Sequence, residues 1–486
     1  MRYMCANKSF LKHFMIIGSG TLINMLLGLF TTPIITRLVD PVEYGQFSIF
    51  TMYSGMGMMV FCVGLDQALV RYYYEREDEA YKRALLFRCV KLPVILSAVI
   101  SAAVIGLSAI GIIRFEFQTY IIVLLCIYTI IQLIYRFSLL LVRLLYKSKL
   151  YSSLNILHKM TYVVFALPLI FLISDNTLLA LIIATMKSGF VCMVTSMFAQ
   201  PNLWNAAKND DSCCHITLLE LIRYGYPYIF TMGITTLFQG IDKISLNRYC
   251  SYSEVGIYAS TGSLVSIFAI IQTTFNSLWA PMSVEHYAKD KKDRSFYQQG
   301  NQIITVIMFF MGISLILVKD VFAVLLGEKY REAAYILPFL IFNPIMYTIS
   351  ETTVSGLVFM KKSKMHVIVA AGACITNMIG NTILVPRLGC QGAAISTGIS
   401  YIVFFTLRTI LSNIYFYVDY KLKKFYILTF TICVYAFYNT FHSFNVGSII
   451  SYVICLIILT FLYWSTIKSC LIYGFEAAKN FLSTYL

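Results

Sequence analysis

Long apolar runs alternate with short polar breaks along most of the chain. The first runs lie near residues 14–35, 44–69, 86–113, 117–141, 151–173 and 177–199. A polar stretch from Gln200 to Glu220 follows. Further runs lie near 221–242, 254–281, 301–318, 333–359, 364–385, 390–417, 425–443 and 446–468. Roughly 20 apolar residues cross a bilayer core as a helix, so the pattern predicts about 14 transmembrane helices. The ten-residue alternating strands of a membrane barrel are absent from the sequence. The predicted fold class is an all-α polytopic membrane protein. Every predicted connection is short, which argues against a soluble catalytic domain and so against an enzyme.

Composition agrees. The 486 residues are 59% hydrophobic and only 13% charged, about half the charged share of a soluble domain. The net charge of +15 would suit nucleic acid in a soluble protein, but its distribution gives another reason. Lys8 and Lys12, Arg71 to Lys91, Arg143 to Lys149, Lys289 to Arg294, Lys361 to Lys364 and Lys421 to Lys424 fall in alternate breaks. The opposite breaks hold few bases. Excess Lys and Arg marks cytoplasmic loops, so both termini are expected in the cytoplasm. The run at 14–35 is too long for a signal-peptide core and reads as a retained span. The 13 cysteines form no CxxC motif; most sit inside apolar runs, with Cys213-Cys214 in a loop. The histidines (His13, His158, His215, His286, His366 and His442) show no ligand spacing. No metal site, disulfide framework or cofactor is assigned.

One break is written twice. RLVDPVEYGQF (Arg37–Phe47) and RYCSYSEVGIY (Arg248–Tyr258) place Arg37 and Arg248, Glu43 and Glu254, and Gly45 and Gly256 each 211 positions apart. Asp40 and Ser251 stand where a helix N-cap would be, with each glutamate three positions on, so each copy predicts a capping box. The glycines lie one turn in, where helices can approach closely. Matching breaks in matching places predict two lobes related by a parallel repeat. The predicted division is 1–212 for the first six helices, 213–418 for the next six, and 419–486 for an appended pair.

Four stretches carry a family resemblance: TRLVDPVEYGQFSIF (Thr36–Phe50), LDQALVRYYYE (Leu65–Glu75), LLGEKYREAAYILPFL (Leu325–Leu340) and VPRLGCQGAAISTGISY (Val385–Tyr401). They lie in both lobes. The chain resembles the polysaccharide transporters, flippases of O-antigen and capsule repeat units, in the superfamily that also holds lipid II flippases and MATE-type exporters. The resemblance implies two six-helix lobes in a V-shaped, MATE-like arrangement plus the two C-terminal helices. It also implies a bacterial inner-membrane flippase. Undecaprenyl-diphosphate-linked oligosaccharide would pass from the cytoplasmic to the outer leaflet by alternating access. A monomer would suffice, working beside a polysaccharide polymerase and a chain-length regulator.

An anionic diphosphate needs cations at membrane depth, and charges there usually face a cavity, a partner or a pathway. Lys187, Lys159, Arg136 and Arg408 lie inside predicted spans and are the candidate diphosphate contacts. Lys187, about ten residues into its span, is hard to explain by snorkelling; the rival reading pairs it with Glu351. Arg37, Arg248, Lys243 and Asp242 lie at predicted outer helix ends, as exit-side or gating residues. Asp242 is either a site for coupling to a proton or sodium gradient or a local ion pair with Lys243. Glu351 and Asp66 are the candidate ion-pair or coupling acids. A cation-coupled exporter of MATE type is the alternative, and the excess of basic over acidic residues in the spans argues against it. A polymerase or ligase is the third reading and would need an outer catalytic loop.

Overall fold

The computed structural model describes residues 20, 22–24, 26–111, 117–205, 215–362 and 364–485. His13, the start of the first expected span, Cys213 and Cys214, and the expected boundary at 212 lie outside them. The described residues are helical, with no strand among them. In chain order they form α1 (Leu22–Leu38), α2 (Pro41–Phe61), α3 (Leu65–Tyr72), α4 (Glu79–Ala109), α5 (Thr119–Leu144), α6 (Ser148–Leu172), α7 (Thr177–Phe198) and the short α8 (Pro201–Trp204). Then come α9 (Leu218–Tyr249), α10 (Tyr252–Val265), α11 (Ile267–Lys289), α12 (Ser295–Leu317), α13 (Lys319–Leu325), α14 (Ala333–Leu340), α15 (Phe342–Thr353) and α16 (Ser355–Phe359). The chain ends in α17 (Lys364–Tyr415), α18 (Leu422–Phe441) and α19 (Val446–Tyr485).

Eight helical stretches among the described residues are long and apolar enough to cross a membrane, or ten if each of two bent pairs is one span. The sequence predicts about 14, and local breaks explain much of the difference. The span expected at 44–69 bends by 53° between α2 and α3, where Val63 (φ 51°) and Gly64 (φ 70°) turn left-handed. The run at 333–359 is divided among α14, α15 and α16, yet Ala333–Thr353 still counts among the eight, while the expected spans at 364–385 and 390–417 count once, as α17. The expected span at 221–242 lies within α9, and that at 425–443 is helical to Phe441 in α18, but neither is among the eight. α9 carries Asp242, Lys243 and Arg248, and α18 begins with Lys423 and Lys424. α17 is two helices meeting at Gly389 (φ 56°, ψ −134°), inside the turn expected between 385 and 390. They fold back on each other, since Ser396 Oγ donates to the Asn377 side chain at 2.8 Å.

Two compact units divide the chain, Met1–Gly240 and Ile241–Leu486. The division falls inside α9, later than the expected 212, because the first half of that helix packs into the first unit. Leu221 is fully buried in a cluster with Leu65, Leu69, Leu133 and Phe137. Gly225 sits against Gly64 so closely that a Cβ on either would strike backbone. The C-terminal pair belongs to the second unit: Phe425 of α18 stacks on Phe405 at 4.2 Å, and Thr466 of α19 bonds Gln302 of α12 at 2.9 Å.

Candidate functional site

In the first unit, the left-handed turn at Val63–Gly64 starts α3 with Asp66 in its first turn. An acid is favourable there because the helix N-terminus is partly positive. Arg136, near the last turns of α5, donates from Nε to Asp66 Oδ2 at 3.1 Å and adds a shorter bond from Nη2. Gln67 Nε2 donates to the same oxygen at 3.1 Å. The acid side chain is 7% exposed and the guanidinium 27%. Both face a cavity of about 480 Å³, lined also by Gln132, Tyr135, Arg143, Tyr151 and His158. The Tyr135 and His158 rings stack at 5.8 Å. This is a polar pocket with two arginines, one carboxylate, two amides and an aromatic pair. It can bind an anion and the hydroxyl-rich group next to it.

The second unit contains a more deeply buried ion pair. Arg408 Nη1 donates to Glu351 Oε1 at 2.8 Å and to Ser350 Oγ at 2.6 Å, with side chains 8% and 17% exposed. The guanidinium also lies 5.6 Å from the Tyr347 and Phe404 rings. The carboxylate expected as a partner for Lys187 is therefore taken by Arg408. A desolvated, paired guanidinium of this kind is first a structural element, since removing either member leaves a buried charge.

Asp242 is caged rather than ion-paired. Its Oδ1 accepts from Asn377 Nδ2 (3.0 Å) and Asn381 Nδ2 (2.8 Å), and its Oδ2 from Tyr258 Oη (2.7 Å) and Thr397 Oγ1 (2.8 Å). All four donors are uncharged, and no ion pair between Asp242 and Lys243 forms among the described residues. The reading of Asp242 and Lys243 as a local pair is corrected in that respect. α9 supplies the acid, α10 the tyrosine, and the two halves of α17 the remaining donors.

The repeated break forms the N-cap half of a capping box in its second copy but not in its first. Asp40 has the extended backbone of an N-cap but makes no side-chain cap bond to α2. Ser251 Oγ does accept from Glu254 N, at 3.5 Å. The glutamates reach further. Glu43 Oε2 accepts from Thr177 Oγ1, the first residue of α7. Glu254 Oε2 accepts from Cys390 N, just after the Gly389 kink, at 2.5 Å. In each unit the same glutamate thus clamps the start of another helix, where the helix dipole favours negative charge. Gly45 and Gly256 are buried as expected.

The remaining candidates are dispersed. Lys187 is exposed on the first unit, with Nζ 5.7 Å from the Phe165 ring centroid. Lys159 is half-buried, with its Nζ close to Gly28. Arg37 and Arg248 are exposed, and Lys243 is half-buried. Arg136 and Asp66 meet at one site, as do Arg408 and Glu351. Lys187 and Lys159 do not line the Arg136 cavity. Sequence reading passed over Gln67, Gln132, Tyr258, Asn377, Asn381 and Thr397. The one available signal was Asn377 and Asn381, amides one helical turn apart within an apolar run.

Helical units of this kind have solved counterparts. The chain is similar to the lipid II flippase MurJ in an inward closed conformation, at 15% identity and TM-score 0.70, covering 95% of this chain and 100% of the other. It is similar to an inward-facing multidrug resistance MATE family transporter of the MOP superfamily, at 14% identity and TM-score 0.56, covering 81% and 94%. A MOP superfamily transporter from Pyrococcus furiosus, with a binding pocket of reverse polarity, matches at 14% identity and TM-score 0.53, covering 84% and 95%. No curated protein matches this chain in sequence. At such identities the likeness defines the fold alone, an all-helical one shared with these solved proteins. The chain belongs to the polysaccharide biosynthesis protein family, which matches residues 10–287, more than half its length.

Proposed function

We propose that this protein is a flippase for lipid-linked oligosaccharides of surface polysaccharide. It would move undecaprenyl-diphosphate-linked repeat units from the cytoplasmic to the outer leaflet of a bacterial cytoplasmic membrane. The observation that carries this reading is the Arg136 cavity in the first unit, taken with family membership. A guanidinium matches phosphate geometry and keeps its charge at membrane depth. Arg143, seven residues on along α5, is available to a second phosphate. Gln67, Gln132 and the Tyr135–His158 stack suit the hydroxyls and faces of the adjoining sugar. Lys159 and Lys187 add positive charge elsewhere on the same unit, and the two units are the proposed lobes of an alternating-access cycle.

Asp242 is the proposed coupling site, for sodium or a proton. Its cage would become a cation site if the two asparagine amides turned their oxygens inward. The acid, two carbonyls and two hydroxyls would then offer the oxygen ligands a hard cation prefers. Asn381 Oδ1 supports this, being a buried acceptor without a hydrogen bond. The test is complementation: a strain lacking the gene should regain surface polysaccharide with the intact chain. Arg136→Ala at normal abundance should fail to restore it. Full restoration by that variant removes the cavity from the pathway. A MATE-type exporter would instead change drug susceptibility and leave the polysaccharide intact.

A further inference from the structure

We propose that Asp66 is a built-in counter-anion that competes with the substrate's diphosphate for Arg136. This rests on the reading of the cavity as the diphosphate site. Arg136 Nε, Arg136 Nη2 and Gln67 Nε2 all converge on one acid oxygen, Oδ2. The second oxygen makes no hydrogen bond among the described residues. A carboxylate that matched the guanidinium fork would use both oxygens. Asp66 therefore holds Arg136 in a one-oxygen arrangement that a phosphate, with more oxygens and more charge, can replace. The exposure is lopsided in the direction this needs. Asp66 is 7% exposed while Arg136 is 27% exposed and lines the cavity, so an anion reaches the guanidinium without the acid leaving its helix.

Electrostatics give the pair two roles. With the cavity empty, Asp66 neutralises Arg136 and no unpaired charge sits in a poorly solvated place. With a diphosphate bound, phosphate and carboxylate compete for the Arg136 guanidinium, and the carboxylate repels the phosphate across a few ångströms. Asp66 thus lowers affinity and takes Arg136 back as the phosphate leaves. A carrier that must release its cargo benefits from such a competitor. Removing the charge should tighten anion binding and slow turnover, the opposite of losing a binding residue.

The test uses the purified full chain in lipid nanodiscs, with inorganic pyrophosphate and a short-chain prenyl diphosphate as probes. Asp66→Asn should bind both about tenfold more tightly, equivalent to ~1.4 kcal/mol, and Asp66→Glu should stay near the intact chain. Arg136→Gln should lose binding. If Asp66→Asn binds equally or more weakly while Arg136→Gln loses binding, Asp66 only positions the guanidinium; the counter-anion role then falls and the anion site stands. If Arg136→Gln binds as the intact chain does, the cavity is not the anion site and both readings fall. Should Asp66→Asn lower the yield of folded chain, Asp66→Ser removes the same charge in less space.

Discussion

Replacing Gly389 by alanine tests the helix-start clamp of the second unit. Gly389 has φ 56° and ψ −134°, a region that a side chain makes costly by about 1–3 kcal/mol. A Cβ there would also press into Glu254 Oε2, the atom that accepts from Cys390 N at 2.5 Å. Displacing the carboxylate forfeits a charge-assisted bond worth roughly 1.5–3 kcal/mol. The two effects together predict a loss of about 2.5–6 kcal/mol. Glu254→Ala should lose only the second part. The double variant should cost less than the sum, because without the carboxylate the new methyl has nothing to displace. The assay is denaturant-induced unfolding of the purified chain in mild detergent, followed by intrinsic tryptophan fluorescence. A Gly389→Ala protein within about 0.5 kcal/mol of the original would refute the reasoning, as would strict additivity. By the same logic Glu43→Ala should cost about as much as Glu254→Ala.

Other expectations follow from the remaining pairs. Glu351→Ala strands the Arg408 guanidinium and should cost about 3–5 kcal/mol, whereas exchanging both for well-packed apolar residues should cost far less; equal losses in unfolding experiments would disprove the pairing. Sodium or acid should raise the melting temperature of the intact chain and leave Asp242→Asn unmoved; an equal rise in both would remove Asp242 as the coupling site. Lys187→Ala should lower surface polysaccharide without lowering protein level, and normal polysaccharide at normal abundance would exclude Lys187 from the path.

The sequence made the membrane class and the isolated charges visible, because each rests on a local signal. Apolar length marks spans, and the 211-residue spacing marks Glu43 and Glu254 as a matched pair. What those glutamates hold was not visible. Their partners, Thr177 and Cys390, stand 134 and 136 residues away at helix starts that no local pattern connects to them. Asp66 and Arg136 were each apparent as an intramembrane charge, but their pairing across 70 residues depends on the packing of α3 against α5. The Asp242 cage was hidden for another reason. Asn, Thr and Tyr are individually ordinary in transmembrane helices, and only the fold brings four of them onto one carboxylate. Fewer spans are counted than the 14 expected because hydropathy cannot register a backbone turn such as Val63–Gly64, and because the expected spans at 364–385 and 390–417 run together in α17.

The most direct test of the central claim is transport itself. The purified chain would be reconstituted into liposomes with a fluorescent prenyl-diphosphate-linked saccharide placed in one leaflet, and its appearance in the other leaflet followed by quenching. The account predicts transfer by the intact chain and loss of transfer in Arg136→Gln, with both variants equally reconstituted. Transfer that persists in Arg136→Gln, or an intact chain that moves no diphosphate-linked saccharide, would contradict it.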